Sequence, residues 1–406
     1  MHILLLTDQY PPEVRAISLM IQELAEGLAL KKHEVTVVAS YPRPSLLDEG
    51  AKEAPPEVTT EGGVRVIRVR THHYRAANYL MRGLGELLLP YLFLSKVKSY
   101  VSKGVDAVVV YTPPLALTIA GRIVKRFLRT KFILNVQDIF PQNAIDLGIL
   151  RNPVLAWLLK RLERQAYRGA DRITAHSNNN AKYLIENRGV PASRVTSIYN
   201  WIDLSPYRNK KATGIFRTRY GLEGKFVFLF AGILGPSQGL DFIIRIAEEV
   251  QSIGDIQFLM IGDGREKRGL VKMVRERGLD NVRFHPFVSV EDYPGLVKDV
   301  DVGLASLSSK NTTPVFPGKI VGFMASAVPI LAFLNRESDG HQIIREARCG
   351  YSTVSDDHKK AADLVRKVFQ ERETLPLLGR NGFEYARTHF SKETCIDMME
   401  KVIKSA

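Results

Sequence analysis

The chain has 406 residues, 45% hydrophobic and 25% charged, with a net charge of +14. That is ordinary globular composition, long enough for two cores and two or three domains. The only cysteines, Cys349 and Cys395, lie far apart and match no metal or redox spacing, which points to thiols of a reducing compartment.

The apolar run of residues 2–6 leads straight into Thr7-Asp8. It is too short for a signal peptide or a membrane span, so the protein is expected to be cytoplasmic. His2–Thr7 reads as a strand. Ile17, Ile21, Leu24 and Leu28 then recur at helical spacing. Further strands are predicted at Val35–Ala39, Val64–Val69, Ala107–Tyr111, Phe132–Val136, Arg172–Ala175 and Val195–Ile198, mostly separated by helical stretches. This alternation predicts an α/β fold with a parallel sheet covered on both faces. Residues 200–215 are polar, carry a proline and read as a linker. The alternation restarts at Phe226–Phe230 and continues through Ile256–Ile261, Val282–Phe284, Val302–Ala305 and Ile330–Ala332. Two Rossmann-like halves with a cleft between them are expected, with ligands beyond the carboxyl ends of the strands. The last helix, Lys392–Lys404, has no strand after it.

Residues 71–103 differ. Leu84–Leu94 is apolar and is rimmed by His72, His73, Arg75, Arg82, Lys96 and Lys98. Eleven residues cannot cross a bilayer, but they can lie in its surface with cations on the phosphates. A core-packed helix bent at Pro90 competes for the leucines. Residues 1–200 hold 27 Lys and Arg against 17 Asp and Glu, and residues 201–406 hold 30 against 26. The positive excess therefore sits in the first half. A basic face attracts phosphates of lipids, nucleotides or nucleic acid, and a merely solvated surface fits the charge equally.

The segments "HILLLTDQYPPE", "VQDIFPQNAIDLGIL", "LERQAYRGADRITAHSNN", "FAGILGPSQGLDFII", "FLMIGDGREKRGL", "NVRFHPF" and "FPGKIVGFMASAVPI", in this order and spacing, carry a resemblance. The chain resembles the family 4 glycosyltransferases of the GT-B fold, of the bacterial O-antigen, colanic-acid and capsule type. The resemblance implies a retaining, metal-independent transfer of a sugar from a nucleotide diphosphate. It implies an acceptor-binding domain over 1–200, with the helix at about 390–406 packing back on it. The nucleotide-sugar-binding domain would span 201–389. The implied donor is a uridine diphosphate sugar, with no further cofactor and no metal. The implied acceptor is a lipid-linked glycan of surface polysaccharide synthesis, placing the protein peripherally on the inner face of the membrane.

Departure of a nucleoside diphosphate builds negative charge, which helix N-termini and fixed cations must absorb. Gly232, Gly235 and Gly239 allow close backbone approach, though a plain strand–helix turn explains them too. Where the family often has Arg and Lys, this chain has Ile233 and Gln238. Gly262 and Gly264 follow a strand, and Arg265, Lys267 and Arg268 sit at the next helix start. Cations there oppose the helix dipole, which favours Arg265 and then Lys267 as diphosphate ligands, while solvated surface charge explains Lys267 and Arg268 equally. Pro317-Gly318-Lys319 matches the family's Pro-Ser-Lys, making Lys319 a point charge near the phosphates. The family's ribose-binding Glu falls at Gly322 and its second acid at Pro314, so both are missing. Thr312, Thr313 or backbone groups are the expected substitutes. Phe287, with His285 and Val288, matches the base-binding stretch.

On the acceptor side Asp138 follows a strand, where a carboxylate can orient or deprotonate a hydroxyl. A turn or cap residue is the plain alternative. Gln142 and Asn143 are candidate hydroxyl contacts. In "QYPPEVRA" the side chain of Arg15 fills space where the family's glycines let backbone approach the donor phosphates, so it can supply positive charge there or narrow the site, and Glu13 is a candidate acceptor contact. His176 reads as a strand-end residue. Against this stand a non-catalytic GT-B protein binding a glycan, lipid or partner enzyme, and an epimerase or a pyridoxal-carrying phosphorylase on the same fold. Nucleic-acid binding rests on charge alone, and no nucleic-acid partner is expected.

Overall fold

A computed structural model describes residues 1–13, 16–42, 55–71, 79–101, 104–208 and 210–406. The chain divides into two compact units, residues 1–145, 150–200 and 392–406 in one and residues 146–149 and 201–391 in the other. Two doubly wound α/β sheets result, one in each unit.

In the first unit the strands are β1 (His2–Thr7), β2 (Glu34–Ser40), β3 (Val58–Glu61), β4 (Val64–Val69), β5 (Ala107–Thr112), β6 (Lys131–Val136), β7 (Arg172–Ala175) and β8 (Val195–Ser197). They lie in the order β3-β4-β2-β1-β5-β6-β7-β8. All neighbours are parallel except β3 and β4, which form an antiparallel hairpin at the edge. Helices α1 (Ala16–Leu30), α2 (Tyr79–Tyr100), α3 (Leu117–Leu128), α4 (Gln142–Asp146), α5 (Pro153–Gly169) and α6 (Asn178–Arg188) connect them. Central strands buried on both faces must be apolar throughout, as in the "AVVVYT" of β5. One core packs Leu89, Phe93 and Val97 of α2, Ala120 and Val124 of α3 and Ala166 of α5 against one sheet face.

The second unit carries α7 (Ile215–Tyr220), β9 (Phe226–Ala231), α8 (Leu240–Glu249), β10 (Ile256–Ile261), α9 (Lys267–Glu276), β11 (Val282–His285), α10 (Tyr293–Lys298), β12 (Val302–Ser306), α11 (Gly318–Ala325), β13 (Ile330–Leu334), α12 (Gly340–Ala347), β14 (Gly350–Val354), α13 (His358–Gln370) and α14 (Leu375–His389). Its sheet runs β11-β10-β9-β12-β13-β14 and is parallel throughout. Strand order reverses between β1 and β5 in the first unit and between β9 and β12 in the second. Ligands of such sheets bind in the crevice outside the strand carboxyl ends at that reversal.

The last helix, α15 (Lys392–Lys404), belongs to the first unit. Ile396 presses on Gly27 of α1, where even a methyl group would sit 2.8 Å from its Cδ1. His33 and Glu400 share a 2.8 Å hydrogen bond, and Lys31 pairs with Asp397 at 2.6 Å. Both cysteines are free and buried.

The stretch Leu84–Leu94 lies within α2, with Pro90 inside the helix. Leu89, Phe93 and Leu94 enter the core, while Leu88, Tyr91 and Leu92 are exposed. His72, His73 and Arg75, and the side chain of Arg82, lie outside the described residues. Lys96 is paired with Glu57 at 2.7 Å. Among the described residues no helix is long and apolar enough to cross a membrane.

Candidate functional site

In the second unit the loops after β9 and β10 lie backbone against backbone. Leu234 N–H donates to the Asp263 carbonyl at 2.9 Å, and Glu266 N–H to the Leu234 carbonyl at 3.1 Å. Glycine is required for this approach. A Cβ on Gly262, which has φ +145°, would lie 1.9 Å from the Gly232 carbonyl oxygen, and one on Gly264 would lie 2.3 Å from that of Leu234. These two glycines therefore serve the packing of one loop on the other. Gly235 differs, since its nearest neighbour would be the Ile233 side chain at 3.6 Å.

Against Gly232 lies Lys319, the second residue of α11. A Cβ on Gly232 would meet Lys319 Cε at 3.2 Å and Nζ at 3.4 Å. The ammonium donates to Gln238 Oε1 at 2.6 Å and sits 4.6 Å from the centroid of the Phe230 ring. The main chain of Gln238 is held in turn, because its backbone carbonyl accepts from Ser306 Oγ at 2.7 Å. Lys319 has no carboxylate partner among the described residues. Part of its surface stays open to solvent, yet dense packing around the ammonium pushes its pKa down to about 8. A cation held in such a place, with only an amide and a ring beside it, is poised for an anion.

The other predicted cations stand differently. Arg265 is exposed just before α9, and Lys267 opens that helix, paired with Asp263 at 3.5 Å. Phe287 is exposed, and its ring edge would touch a Cβ on Gly262 at 3.4 Å. The exposed side chain of Ile233 flanks the same glycine loop. His285 stacks on Tyr220 with ring centroids 4.1 Å apart. The hydroxyl of Thr312 donates to Asp146 at 2.7 Å and Thr313 is fully buried. Burial closes off Thr313, while the oxygen of the exposed Thr312 can still accept a hydrogen bond.

In the first unit Asp138 follows β6 beside a small cavity lined by Thr112, Pro113, Leu115, Leu134, Val136, Phe140 and Tyr167. Its surface is exposed, while the apolar groups crowding the carboxyl disfavour the carboxylate and raise its pKa. Gln142 and Asn143 open α4 and are half-buried. Glu13 is buried beside the loop that follows β1. That loop is tied down by Arg68, whose guanidinium is sealed from solvent. It donates to the Pro11 carbonyl at 3.1 Å, to Glu61 at 2.7 Å and to Thr59 at 2.8 Å. Arg15 lies outside the described residues.

Sequence reasoning did not find the buried polar chain beside Asp138. Asn135 donates to Thr174 at 2.9 Å, Gln137 to Asn135 at 2.6 Å and Asn200 to Gln137 at 2.8 Å. His176 is buried next to it, and burial pushes its pKa down to about 4. The signal was a polar residue on an otherwise apolar strand, Asn135, which a buried strand tolerates only when hydrogen-bonded.

A "Glycosyl transferase 4-like domain" model matches residues 16–201, and a "Glycosyl transferases group 1" model matches residues 215–385. Together they cover most of the chain. The chain belongs to family 4 of the GT-B glycosyltransferases. It is 28% identical to the glycosyltransferase WbjE of Pseudomonas aeruginosa, over 71% of this chain and 72% of that relative. It is 25% identical to the glycosyl transferase WcaI of Escherichia coli K12, described as a colanic acid biosynthesis protein, over 80% of this chain and 81% of WcaI. The fold is that of Anabaena HepE solved in complex with UDP, with a TM-score of 0.74 and 18% identity over the full length of both chains.

Proposed function

We propose that this glycosyltransferase moves a sugar, with retention and without a metal, from a uridine diphosphate donor to a lipid-linked glycan of bacterial surface polysaccharide. The second unit binds the donor and the first unit the acceptor. The observation that carries the reading is Lys319, a crowded ammonium with no carboxylate partner among the described residues, set against the Gly232 loop at the strand-order reversal. As the sugar–phosphate bond breaks, negative charge grows on the diphosphate. A fixed cation there stabilises the transition state more than the ground state. Gln238 supplies geometry where the family often has charge. Arg265 and Lys267 extend the positive field, and Phe287 offers an exposed ring for the base.

At the acceptor, Asp138 orients or deprotonates the attacking hydroxyl, with Gln142, Asn143 and Glu13 as further acceptor contacts. In transfer on one face the departing phosphate can itself accept the hydroxyl proton, and Asp138 then orients. UDP in HepE and the colanic-acid assignment of WcaI support the donor and the acceptor class. A membrane-borne acceptor also fits the outer surface of the first unit. Leu88, Tyr91 and Leu92 of α2 and Val154, Leu155, Trp157 and Leu158 of α5 are all exposed. In the same unit Arg122, Lys125, Arg126 and Arg168 line a groove on α3 and α5. Exposed apolar side chains and a basic groove on one unit suit an anionic lipid surface, and α2 carries part of the 71–103 stretch.

The test is release of nucleoside diphosphate from a panel of nucleotide sugars, with bacterial lipid extract as acceptor and the anomeric configuration of the product read by NMR. Acceptor-dependent release with retention is expected. Binding of nucleotide sugars without any release would favour the non-catalytic reading.

A further inference from the structure

The missing acid at position 322 leaves a space, and the structure shows what fills it. Gly322 lies on α11 three residues after Lys319, so both sit on one face, a turn apart. A side chain built on Gly322 would meet the Tyr293 hydroxyl first, at 3.4 Å, and then a Tyr293 ring carbon at 3.8 Å. Tyr293 comes from the first residue of α10, with Pro294 behind it. Its phenol therefore occupies the direction in which a glutamate at 322 would extend.

The Tyr293 hydroxyl makes no hydrogen bond to any described residue, while the backbone N–H donates to the Ser289 carbonyl at 3.1 Å. Burial first, and the nearby Tyr207 second, raise its pKa, so the hydroxyl keeps its proton and can both donate and accept. The plain alternative is a tyrosine that only fills a gap left by glycine. An unbonded hydroxyl beside the Lys319 face argues against that, because a phenylalanine would fill the same gap without a polar tip.

We propose that Tyr293 is the ribose ligand of this enzyme. Its hydroxyl bonds the 2′- or 3′-hydroxyl of the donor nucleoside, one turn from the Lys319 ammonium that holds the diphosphate. The inference rests on the donor site proposed above. Tyr293 binds and positions, and the breaking bond is remote from it. A neutral phenol makes a weaker contact than a carboxylate, so preference for ribose over deoxyribose is expected at about 3- to 10-fold.

The experiment is calorimetric titration with uridine, guanosine and adenosine diphosphates and the 2′- and 3′-deoxy forms of whichever binds most tightly. It is run on the wild-type protein and on Tyr293→Phe, with melting curves to confirm that the variant is folded. The wild type should prefer one ribose hydroxyl 3- to 10-fold. Tyr293→Phe should lose that factor for the ribonucleotide and nothing further for the deoxy form. Full retention of the preference in Tyr293→Phe, or no preference in the wild type, overturns the assignment of Tyr293 while leaving the donor site standing. No binding of any diphosphate by the wild type overturns the donor site and this inference together.

Discussion

Replacing Lys319 by Met should stabilise the free protein and weaken its hold on nucleotides. The Lys319 ammonium titrates at about 8 instead of the ordinary 10.5. For a lysine this sign means that the charged form costs free energy at neutral pH, because the unfolded chain holds the proton more tightly. The penalty is present below about pH 8 and fades as pH rises from 8 toward 10.5. A shift of that size corresponds to about 3 kcal/mol. Methionine keeps most of the volume and loses the Gln238 hydrogen bond, worth about 1 kcal/mol. The net gain of about 2 kcal/mol should raise the melting point of a unit this size by about 4–8 °C. Loss of a charge-assisted contact to the diphosphate should weaken nucleoside diphosphate binding about 10- to 100-fold. Calorimetry of the variant with and without nucleotide reads both quantities. A variant that melts lower than wild type and binds nucleotide as well would refute the reasoning.

On the proposed acceptor role of Asp138, Asp138→Asn should cut turnover by about 100-fold or more while leaving nucleotide affinity unchanged. Because its pKa is raised, the wild-type rate should climb with pH through the titration of Asp138 if it acts as the base. His176, buried neutral, gives acid sensitivity. As pH falls from 6.5 to about 4 the unfolded chain takes up a proton that the folded one refuses, costing about 3 kcal/mol. Urea unfolding at pH 7 and 4.5 should show a smaller loss in His176→Gln, and an equal loss in both proteins would contradict this. Gly262→Ala should destabilise by about 3 kcal/mol or more, through backbone collision and strain. Gly235→Ala, whose Cβ would meet only the Ile233 side chain at an ordinary contact distance of 3.6 Å, should be nearly neutral in the same melting assay.

The strands were legible because those buried on both faces leave continuous apolar runs. Val64–Val69, Arg172–Ala175 and Ile256–Ile261 agree with the structure at both ends. β3 escaped notice because an edge strand with one covered face, "VTTE", carries little apolar signal. The Leu84–Leu94 stretch illustrates a different limit. Its described leucines divide between core and solvent, Leu89 and Leu94 buried and Leu88 and Leu92 exposed, and composition alone cannot apportion them. The glycine loops were found, but Gly262 and Gly264 answer to a neighbouring loop, a contact no local pattern displays. Tyr293 was invisible for the same reason: it meets α11 across 29 positions of chain, and only the fold brings its hydroxyl over Gly322.

The most direct measurement is titration of the wild-type protein with nucleoside diphosphates, followed by melting temperature and calorimetry. A ligand that binds only the folded state raises the melting point by mass action. The account predicts a saturable rise with uridine diphosphate that Lys319→Met abolishes. No rise with any nucleoside diphosphate at high concentration would contradict a donor site built on Lys319.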